Sequence, residues 1–163
     1  MLGAKECHTH NVLHRDFKLD NILLDRGLKC AKICDFGVSK IIKRNETIYD
    51  QCGTPAYLAP EIAAERGYEN FTVDVWSLGI CLFVILTGSV PFRAPTIPEL
   101  YKMVLKGKFN VPEYLSSEAE DLLRRMLHVV PHSRIKVQQV LAHPWFKMTD
   151  EDKETIKWPE FLG

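Results

Sequence analysis

Hydrophobic and polar residues alternate with a helical period over most of the second half of the chain. Residues 73–86 are apolar on nearly every face, which is typical of a helix buried all round at the centre of a domain. A second helix is predicted to begin at Pro98 and to end before Gly107, because proline favours the first turn and glycine follows the last. Its apolar face consists of Leu100, Tyr101, Val104 and Leu105.

Two shorter helices are predicted after the second one. Ser117 and Glu120 fit a capping box, which predicts the start of a helix. The apolar face of that helix consists of Leu122, Leu123, Met126 and Leu127. Residues 137–142 predict a short helix that Pro144 stops.

The last residues combine aromatic side chains with acidic ones. Trp145 and Phe146 are expected to fill the core behind the short helix. Residues 149–155 form an acidic tail, either helical or irregular, and Trp158 and Phe161 are candidates to dock it.

The first half of the chain contains short runs with no long period. Residues 1–9 predict the last turns of a helix, and residues 22–24 and 31–33 predict two short strands. Gly27 lies in the turn between these strands and is expected to supply a positive φ. Residues 39–51 are polar and lack periodicity, so they predict a long loop, which is usually a functional feature.

Composition places the chain among folded globular proteins. It has 163 residues, of which 46% are hydrophobic, so one domain or one lobe of a larger domain is expected. Lys plus Arg equals Asp plus Glu at 21 each, which gives no general argument for nucleic acid or a membrane as a partner. Residues 75–92 carry no charge, but their serine, threonine, glycine and proline content favours a buried central helix over a membrane span.

Cysteine usage indicates a reducing compartment. The five cysteines include no Cys-x-x-Cys pair, which predicts reduced thiols in a cytoplasmic protein, with the nucleus as the alternative. Residues 1–11 contain no apolar run of the kind that forms a secretory signal. The spacing of Cys7, His8, His10 and His14 matches no common zinc pattern.

The stretch from His14 to Asn21 carries the strongest chemical signal. Asp16, Lys18 and Asn21 follow at intervals that suit phosphoryl transfer better than a surface turn. A carboxylate can accept a hydroxyl proton, an ammonium can hold a moving phosphate, and an amide carbonyl can bind magnesium.

Four further motifs follow this stretch in order. They are Asp35-Phe36-Gly37, Ala59-Pro60-Glu61, the segment Asp74 to Gly79, and Arg134 in a late loop. With the motif at 14–21 in the same register, the sequence resembles the eukaryotic protein-kinase family from His8 to about Phe146.

The resemblance implies a set of catalytic residues and cofactors. Asp16 is implied as the catalytic base and Lys18 as the contact for the γ-phosphate of ATP. Asn21 and Asp35 are implied as the Mg²⁺ ligands, because hard cations prefer such oxygen atoms. ATP and Mg²⁺ are therefore the expected cofactors, with Asp20 and Leu23 as further ATP contacts.

A second group of residues is implied in the activation loop and in substrate binding. Arg15 is expected to bind a charge on that loop, and Gly53 and Thr54 are expected beside the substrate. Many relatives phosphorylate a threonine where this chain has Asp50, so we expect this carboxylate to pair with Arg15 without modification. Asp20 also suggests a preference for basic substrates, although Val84 stands where some kinases place a second acid.

Five residues are implied as structural supports. His14 is expected to pack on Phe36, and Asp74 is expected to bind the backbone of the catalytic loop. Glu61 and Arg134 are expected to form a buried ion pair.

Lys18 and residues 53–57 resemble the serine/threonine branch, and residues 60–146 look most like calcium/calmodulin-dependent and related kinases. The implied fold is mainly α, a large C-terminal lobe with a short β-hairpin. It comprises a partial kinase domain at 1–146, from the end of the family's helix E onward, and a tail at 147–163.

The small N-terminal lobe of the family is expected to be absent, since no Gly-x-Gly-x-x-Gly precedes Asp16 in these residues. Two functions remain open on the sequence. One is a protein serine/threonine kinase, with this chain as its large lobe, inactive alone. The other is a non-catalytic kinase remnant that binds proteins. Protein substrates, a small lobe and a regulatory protein are the expected partners.

Overall fold

The computed structural model describes residues 1–27, 29–43 and 46–147. Within these ranges the fold is mainly α, with short strands confined to the first third of the chain. The helices are α1 (Leu2–Thr9), α2 (Pro60–Ala63), α3 (Thr72–Thr87), α4 (Ile97–Lys106), α5 (Ser117–Met126) and α6 (Val137–Leu141). The strands are β1 (Val12–Leu13), β2 (Ile22–Leu24), β3 (Ala31–Ile33) and β4 (Lys40–Ile41).

The strands pair in two short antiparallel sheets. β2 pairs with β3, with Ile22 opposite Ile33, which confirms the predicted hairpin. β1 pairs with β4, although residues 39–51 were predicted to be a loop. The prediction was wrong there because a two-residue strand has no local period and forms only through its distant partner. Gly27 does not take the left-handed φ that was expected for it.

Helix α3 lies at the centre of the hydrophobic core. Twelve of its residues are buried, including Trp76 and Ile80, which have no exposed surface. Gly79 allows α5 to approach closely, since a Cβ there would lie 2.9 Å from a side-chain carbon of Leu127. Gly88 ends α3 in the left-handed conformation, at φ +72°. No helix in the described residues is long and apolar enough to cross a membrane.

The two amphipathic helices pack beside α3 with small departures from the prediction. In α4, Leu100 and Val104 are buried, but Leu105 is exposed because it lies at the edge of the apolar face. The predicted capping box of α5 is wrong by one residue. Ser116 is the N-cap, and its hydroxyl accepts a hydrogen bond from the Ala119 N–H at 3.2 Å.

The described chain ends in a 3₁₀ turn at Pro144–Lys147 that follows α6. Trp145 is half-buried and packs against the core, as expected. Phe146 is 41% exposed and does not fill the core, because it lies at the edge of a groove. The predicted tail, with Trp158 and Phe161, lies outside the described residues.

Candidate active site

Asp74 holds the backbone of the loop that follows β1. Its carboxylate is 1% exposed and accepts hydrogen bonds from the N–H of His14 at 3.0 Å and of Arg15 at 2.9 Å. These bonds support Arg15 at φ +70°, a conformation that costs a non-glycine residue of the order of 1–3 kcal/mol. Asp74 therefore fixes the loop that carries the candidate base, as the resemblance implied.

His8 is a member of this support that the sequence reasoning missed. Its Nε2 atom lies 2.9 Å from Oδ2 of Asp74, and the side chain is buried. The imidazole thus ties α1 to the start of α3. The available signal was a histidine on the inner face of a short polar helix, where burial requires a polar partner.

The carboxylate of Asp16 is the point where the predicted catalytic residues converge. Oδ1 accepts hydrogen bonds from the N–H of Thr54 at 3.1 Å and from its hydroxyl at 2.9 Å. Oδ2 lies 3.1 Å from Nζ of Lys18 and accepts a hydrogen bond from Nδ2 of Asn21 at 3.2 Å. Lys18 also donates to the Thr54 hydroxyl at 3.1 Å. Residues 38 positions apart thus form one polar cluster.

These contacts keep Asp16 ionised. Burial alone would raise the pKa of its carboxyl group, but hydrogen bonds from Thr54 and Lys18 outweigh it and hold the pKa below its ordinary value. In return, the hydrogen bond to Asp16 raises the pKa of Lys18. The site therefore presents a carboxylate and an ammonium together at neutral pH.

Asn21 and Asp35 are suitable donors for a hard cation. Asn21 is buried, and its amide nitrogen donates to Asp16, so its carbonyl oxygen is the atom left to bind a cation. Asp35 is exposed and takes a left-handed φ of +60°, with Oδ1 accepting from the N–H of Gly37 at 3.2 Å. Asp20 and Leu23 are exposed on the same segment as Asn21.

Gly53 lets the later loop approach the catalytic loop. Its φ is +107°, and a Cβ there would lie 2.6 Å from the carbonyl oxygen of Arg15. Only glycine fits such a backbone contact. Since Thr54 follows directly, this close approach brings its N–H and hydroxyl within reach of Asp16.

Arg15 and Asp50 lie together as expected. Nη1 of Arg15 donates to Oδ2 of Asp50 at 3.3 Å, while the side chain of Asp50 is 67% exposed. The hydroxyl of Tyr68 donates to the Asp50 carbonyl at 3.3 Å and adds a contact that the sequence did not indicate.

His14, Phe17 and Phe36 form an aromatic cluster under the site. The ring centroids of His14 and Phe36 are 4.9 Å apart in an edge-to-face arrangement, and Phe17 stacks on His14 at 4.3 Å. His14 therefore contacts Phe36 as the resemblance implied, and Phe17 adds a second ring.

Glu61 and Arg134 form the expected buried ion pair. Their side chains are 8% and 0% exposed, and two parallel hydrogen bonds join them at 2.8 and 2.9 Å. Arg134 also donates to the carbonyls of Thr72 and His128, both at 2.9 Å. The pair connects α2, the start of α3 and the loop before α6, so it acts as scaffold.

Comparison with known proteins points to one family. A family model described as "protein kinase domain" matches residues 1–146. Protein kinase domain-containing protein ppk9 of Schizosaccharomyces pombe is 46% identical over 140 residues, which cover 86% of this chain and 26% of that protein. Serine/threonine-protein kinase SIK2 of Gallus gallus is 42% identical over 148 residues, covering 90% of this chain and 18% of that protein.

A plant relative extends the comparison to nearly all of the chain. CBL-interacting serine/threonine-protein kinase 20 of Arabidopsis thaliana is 39% identical over 164 residues, covering 98% of this chain and 37% of that protein. The chain thus spans between 18% and 37% of the length of these three relatives. The names of the Gallus gallus and Arabidopsis thaliana proteins confirm the resemblance to serine/threonine kinases and fit the calcium/calmodulin-dependent and related group. With 146 of its 163 residues matched, the chain belongs to the protein kinase domain family.

Proposed function

We propose that the chain is the large lobe of a protein serine/threonine kinase that transfers the γ-phosphate of ATP to protein hydroxyl groups. The observation that carries this proposal is the convergence of Lys18, Asn21 and Thr54 on the carboxylate of Asp16. A scaffold protein has no physical need of an ionised carboxylate, an ammonium and an amide within one hydrogen-bonded cluster. Phosphoryl transfer needs all three.

Asp16 and Lys18 have complementary roles in this proposal. Because its pKa is held low, Asp16 is ionised and can orient an acceptor hydroxyl and receive its proton. Lys18 lies beside it and can stabilise the negative charge of the transferred phosphate. Thr54 contacts both side chains, so it positions them relative to each other.

Asn21 and Asp35 would hold Mg²⁺, which supplies charge neutralisation for the phosphates of ATP when bound. The carbonyl oxygen of Asn21 and the carboxylate of Asp35 are the hard oxygen donors that this ion prefers. Asp20 and Leu23 are exposed on the neighbouring segment, where ATP contacts are expected.

The proposal assigns the other half of the ATP site to a small lobe outside residues 1–163. We therefore expect the chain alone to bind Mg-ATP too weakly to measure by calorimetry. Joined to the small lobe of a related serine/threonine kinase, it should phosphorylate protein substrates. Asp16→Asn should abolish that activity, whereas Asp25→Asn, in the exposed turn after β2, should not.

Two results would contradict this proposal. One is tight binding of Mg-ATP by the chain alone. The other is a folded fusion protein whose activity is the same with and without Asp16→Asn.

A non-catalytic binding module is the second candidate function. Leu23, Leu24 and Ile41 are 56%, 61% and 72% exposed, and such apolar surface is typical of a face that another protein covers. The Asp16→Asn variant distinguishes the two functions, because a binding module would keep its cellular role when the carboxylate is neutralised.

Asp50 suggests how the activation loop is held. Its contact with Arg15 supports a loop that needs no phosphate at this position. Because the side chain of Asp50 is 67% exposed, although that of Arg15 is only 11% exposed, the pair contributes of the order of 1 kcal/mol or less. Asp50→Ala should lower the activity of the fusion protein, and an unchanged rate would reject the idea.

Substrate class and location are also proposed. The exposed carboxylate of Asp20 favours basic residues near the acceptor, with Val84 half-buried where a second acid would have strengthened the preference. A peptide library that shows no preference for Arg or Lys would contradict this. A cytoplasmic or nuclear location stays a prediction. The expectation that the partners are proteins, and not nucleic acid or a membrane, stays a prediction as well.

A further inference from the structure

Ser77 lies on helix α3, and its hydroxyl group makes a contact outside the helix. The side chain is buried. The hydroxyl donates to the carbonyl oxygen of Tyr57 at 2.8 Å, whereas the carbonyl oxygen of Val73, in the same helix, lies further away at 3.3 Å. A serine inside a helix often bonds the carbonyl four positions earlier. The shorter distance therefore indicates that this hydroxyl holds a neighbouring segment rather than its own helix.

The segment that Ser77 contacts is a short 3₁₀ turn that follows Thr54 directly. The turn comprises Pro55–Tyr57, and Thr54 is its N-cap. The N–H of Tyr57 donates to the carbonyl oxygen of Thr54 at 2.9 Å. The hydroxyl of Thr54 in turn donates to Oδ1 of Asp16 at 2.9 Å. Three successive hydrogen bonds thus lead from Ser77, through this turn, to the carboxylate of Asp16.

Thr54 is held from both sides along the chain. On one side, Gly53 packs closely on the carbonyl oxygen of Arg15. On the other side, the hydrogen bond from Ser77 holds the turn Pro55–Tyr57 against α3. Because both neighbours of Thr54 are fixed, its N–H and its hydroxyl can point at the same carboxylate oxygen, at 3.1 and 2.9 Å.

Helix α3 also holds the catalytic loop, through Asp74. The carboxylate of Asp74 accepts hydrogen bonds from the N–H groups of His14 and Arg15. Asp74 and Ser77 are three positions apart, so they are neighbours on the surface of the helix. One short stretch of α3 therefore binds both the loop that carries Asp16 and the loop that carries Thr54.

We propose that Ser77 is a positioning residue for the phosphoryl transfer, because its hydroxyl holds the turn Pro55–Tyr57 and thereby keeps Thr54 in contact with Asp16. This inference rests on the proposed function, since it concerns how the carboxylate that orients the acceptor hydroxyl is held. Ser77 acts on Asp16 through Thr54. Small displacements of such a group lower the rate, because phosphoryl transfer depends on the alignment of the reacting atoms.

The first test needs neither ATP nor activity. Exchange of the Thr54 amide proton for deuterium, followed by two-dimensional NMR on the full chain, measures how firmly this N–H is held. Ser77→Ala removes only the hydroxyl and should speed the exchange about fivefold, the ratio that corresponds to one ordinary hydrogen bond. The amide of Leu123, which is buried in α5, is the reference. A general loss of stability would speed both amides equally, so the ratio of the two rates isolates the turn.

Thr87→Val is the matched control variant. Thr87 also lies on α3, and its hydroxyl donates to the carbonyl oxygen of Phe83 at 2.8 Å. Valine removes this hydroxyl at nearly constant volume, at the C-terminal end of the helix and ten positions beyond Ser77. The ratio of the Thr54 and Leu123 exchange rates should therefore stay unchanged in this variant.

The second test measures kcat of the fusion protein, with myelin basic protein as the phosphate acceptor. Ser77→Ala should lower kcat about fivefold, whereas Thr87→Val should not change it. In a protein that already carries Thr54→Val, Ser77→Ala should lower kcat less than about twofold, because the hydroxyl contact through which Ser77 acts is gone. A residue that only stabilised the lobe would lower kcat by the same factor in both proteins.

Two outcomes would overturn the proposal. The first is a ratio of the Thr54 and Leu123 exchange rates that Ser77→Ala leaves unchanged, or that Thr87→Val changes equally. The second is a loss of kcat in Ser77→Ala that is the same with and without Thr54→Val. A fusion protein that is folded but inactive with all its residues intact would reject the proposed function instead, and the exchange rates would still decide whether Ser77 holds Thr54.

Discussion

Replacing Glu61 by alanine tests how the large lobe is held together. The substitution removes the carboxylate that makes two hydrogen bonds to Arg134, at 2.8 and 2.9 Å. The guanidinium would remain with no exposed surface and no counter-charge. It would keep its hydrogen bonds to the carbonyls of Thr72 and His128.

The expected loss of unfolding free energy follows from this geometry. Breaking a buried ion pair by removing one partner costs about 3–5 kcal/mol. Since carbonyl oxygens still solvate Arg134, we expect the lower end, about 3 kcal/mol. That is a large part of the 5–15 kcal/mol typical of a domain. With a urea slope of about 2 kcal/mol/M, the unfolding midpoint should fall by about 1.5 M.

Urea unfolding of the full chain, followed by far-UV circular dichroism, measures the effect. The control is Glu120→Ala, which removes an exposed i,i+4 pair with Arg124 and should cost about 0.3–0.5 kcal/mol. The double variant Glu61→Leu with Arg134→Met should cost less than the sum of its single variants. Equal midpoint shifts for Glu61→Ala and Glu120→Ala would refute the reasoning.

Three further predictions concern single contacts. Ser116→Ala should cost about 1 kcal/mol of unfolding free energy, measured by urea unfolding, because the α5 N-cap loses its acceptor. Thr54→Val removes a hydroxyl that donates to Asp16 at 2.9 Å, so the pKa of that carboxyl should rise towards its ordinary value. A ¹³C NMR titration of the carboxyl carbon measures this shift. Gly53→Ala should lower the free energy of unfolding by roughly 1–3 kcal/mol and displace the loop, because alanine does not fit φ +107°. Thermal unfolding measures this loss.

Each of these predictions has a matched control in the chain. Ser117→Ala should change stability little, and an equal loss at both serines would reject Ser116 as the cap. Thr54→Ser keeps the hydroxyl and should leave the pKa of Asp16 low, so a rise in both threonine variants would contradict the proposed cause. Gly27→Ala should be tolerated, since a Cβ there meets nothing closer than 3.8 Å. Equal losses at Gly27 and Gly53 would show that the close approach is unimportant.

Much of the secondary structure could be predicted because it depends on local patterns. Helix α3 and the β2–β3 hairpin were recognised from an apolar run and from two short strands around a turn. Two of the errors have a common cause, because strand β4 and the exposed Phe146 each depend on a partner or a surface that the neighbouring residues do not specify. The error at the start of α5 is local, since Ser116 and Ser117 are adjacent and both are suitable N-cap residues.

The sequence alone determined the residue types and spacing of the candidate site. Asp16, Lys18 and Asn21 lie within six residues, so chain connectivity itself keeps them close. The tertiary structure decided which further groups meet them. Thr54 reaches Asp16 across 38 positions, because the loop at Gly53 packs on the catalytic loop.

The residues that support the site also depend partly on the sequence alone and partly on the tertiary structure. Residue chemistry alone could not pair Glu61 with Arg134, which are 73 positions apart, and only the family resemblance implied that contact. Neither residue chemistry nor the resemblance indicated that Asp74 would be the partner of His8, because that contact requires α1 and α3 to pack together. Long-range pairing is fixed by the burial of whole helices, and burial depends on every element at once. The sequence therefore determined the chemistry of the site, and the packing of the helices determined its geometry.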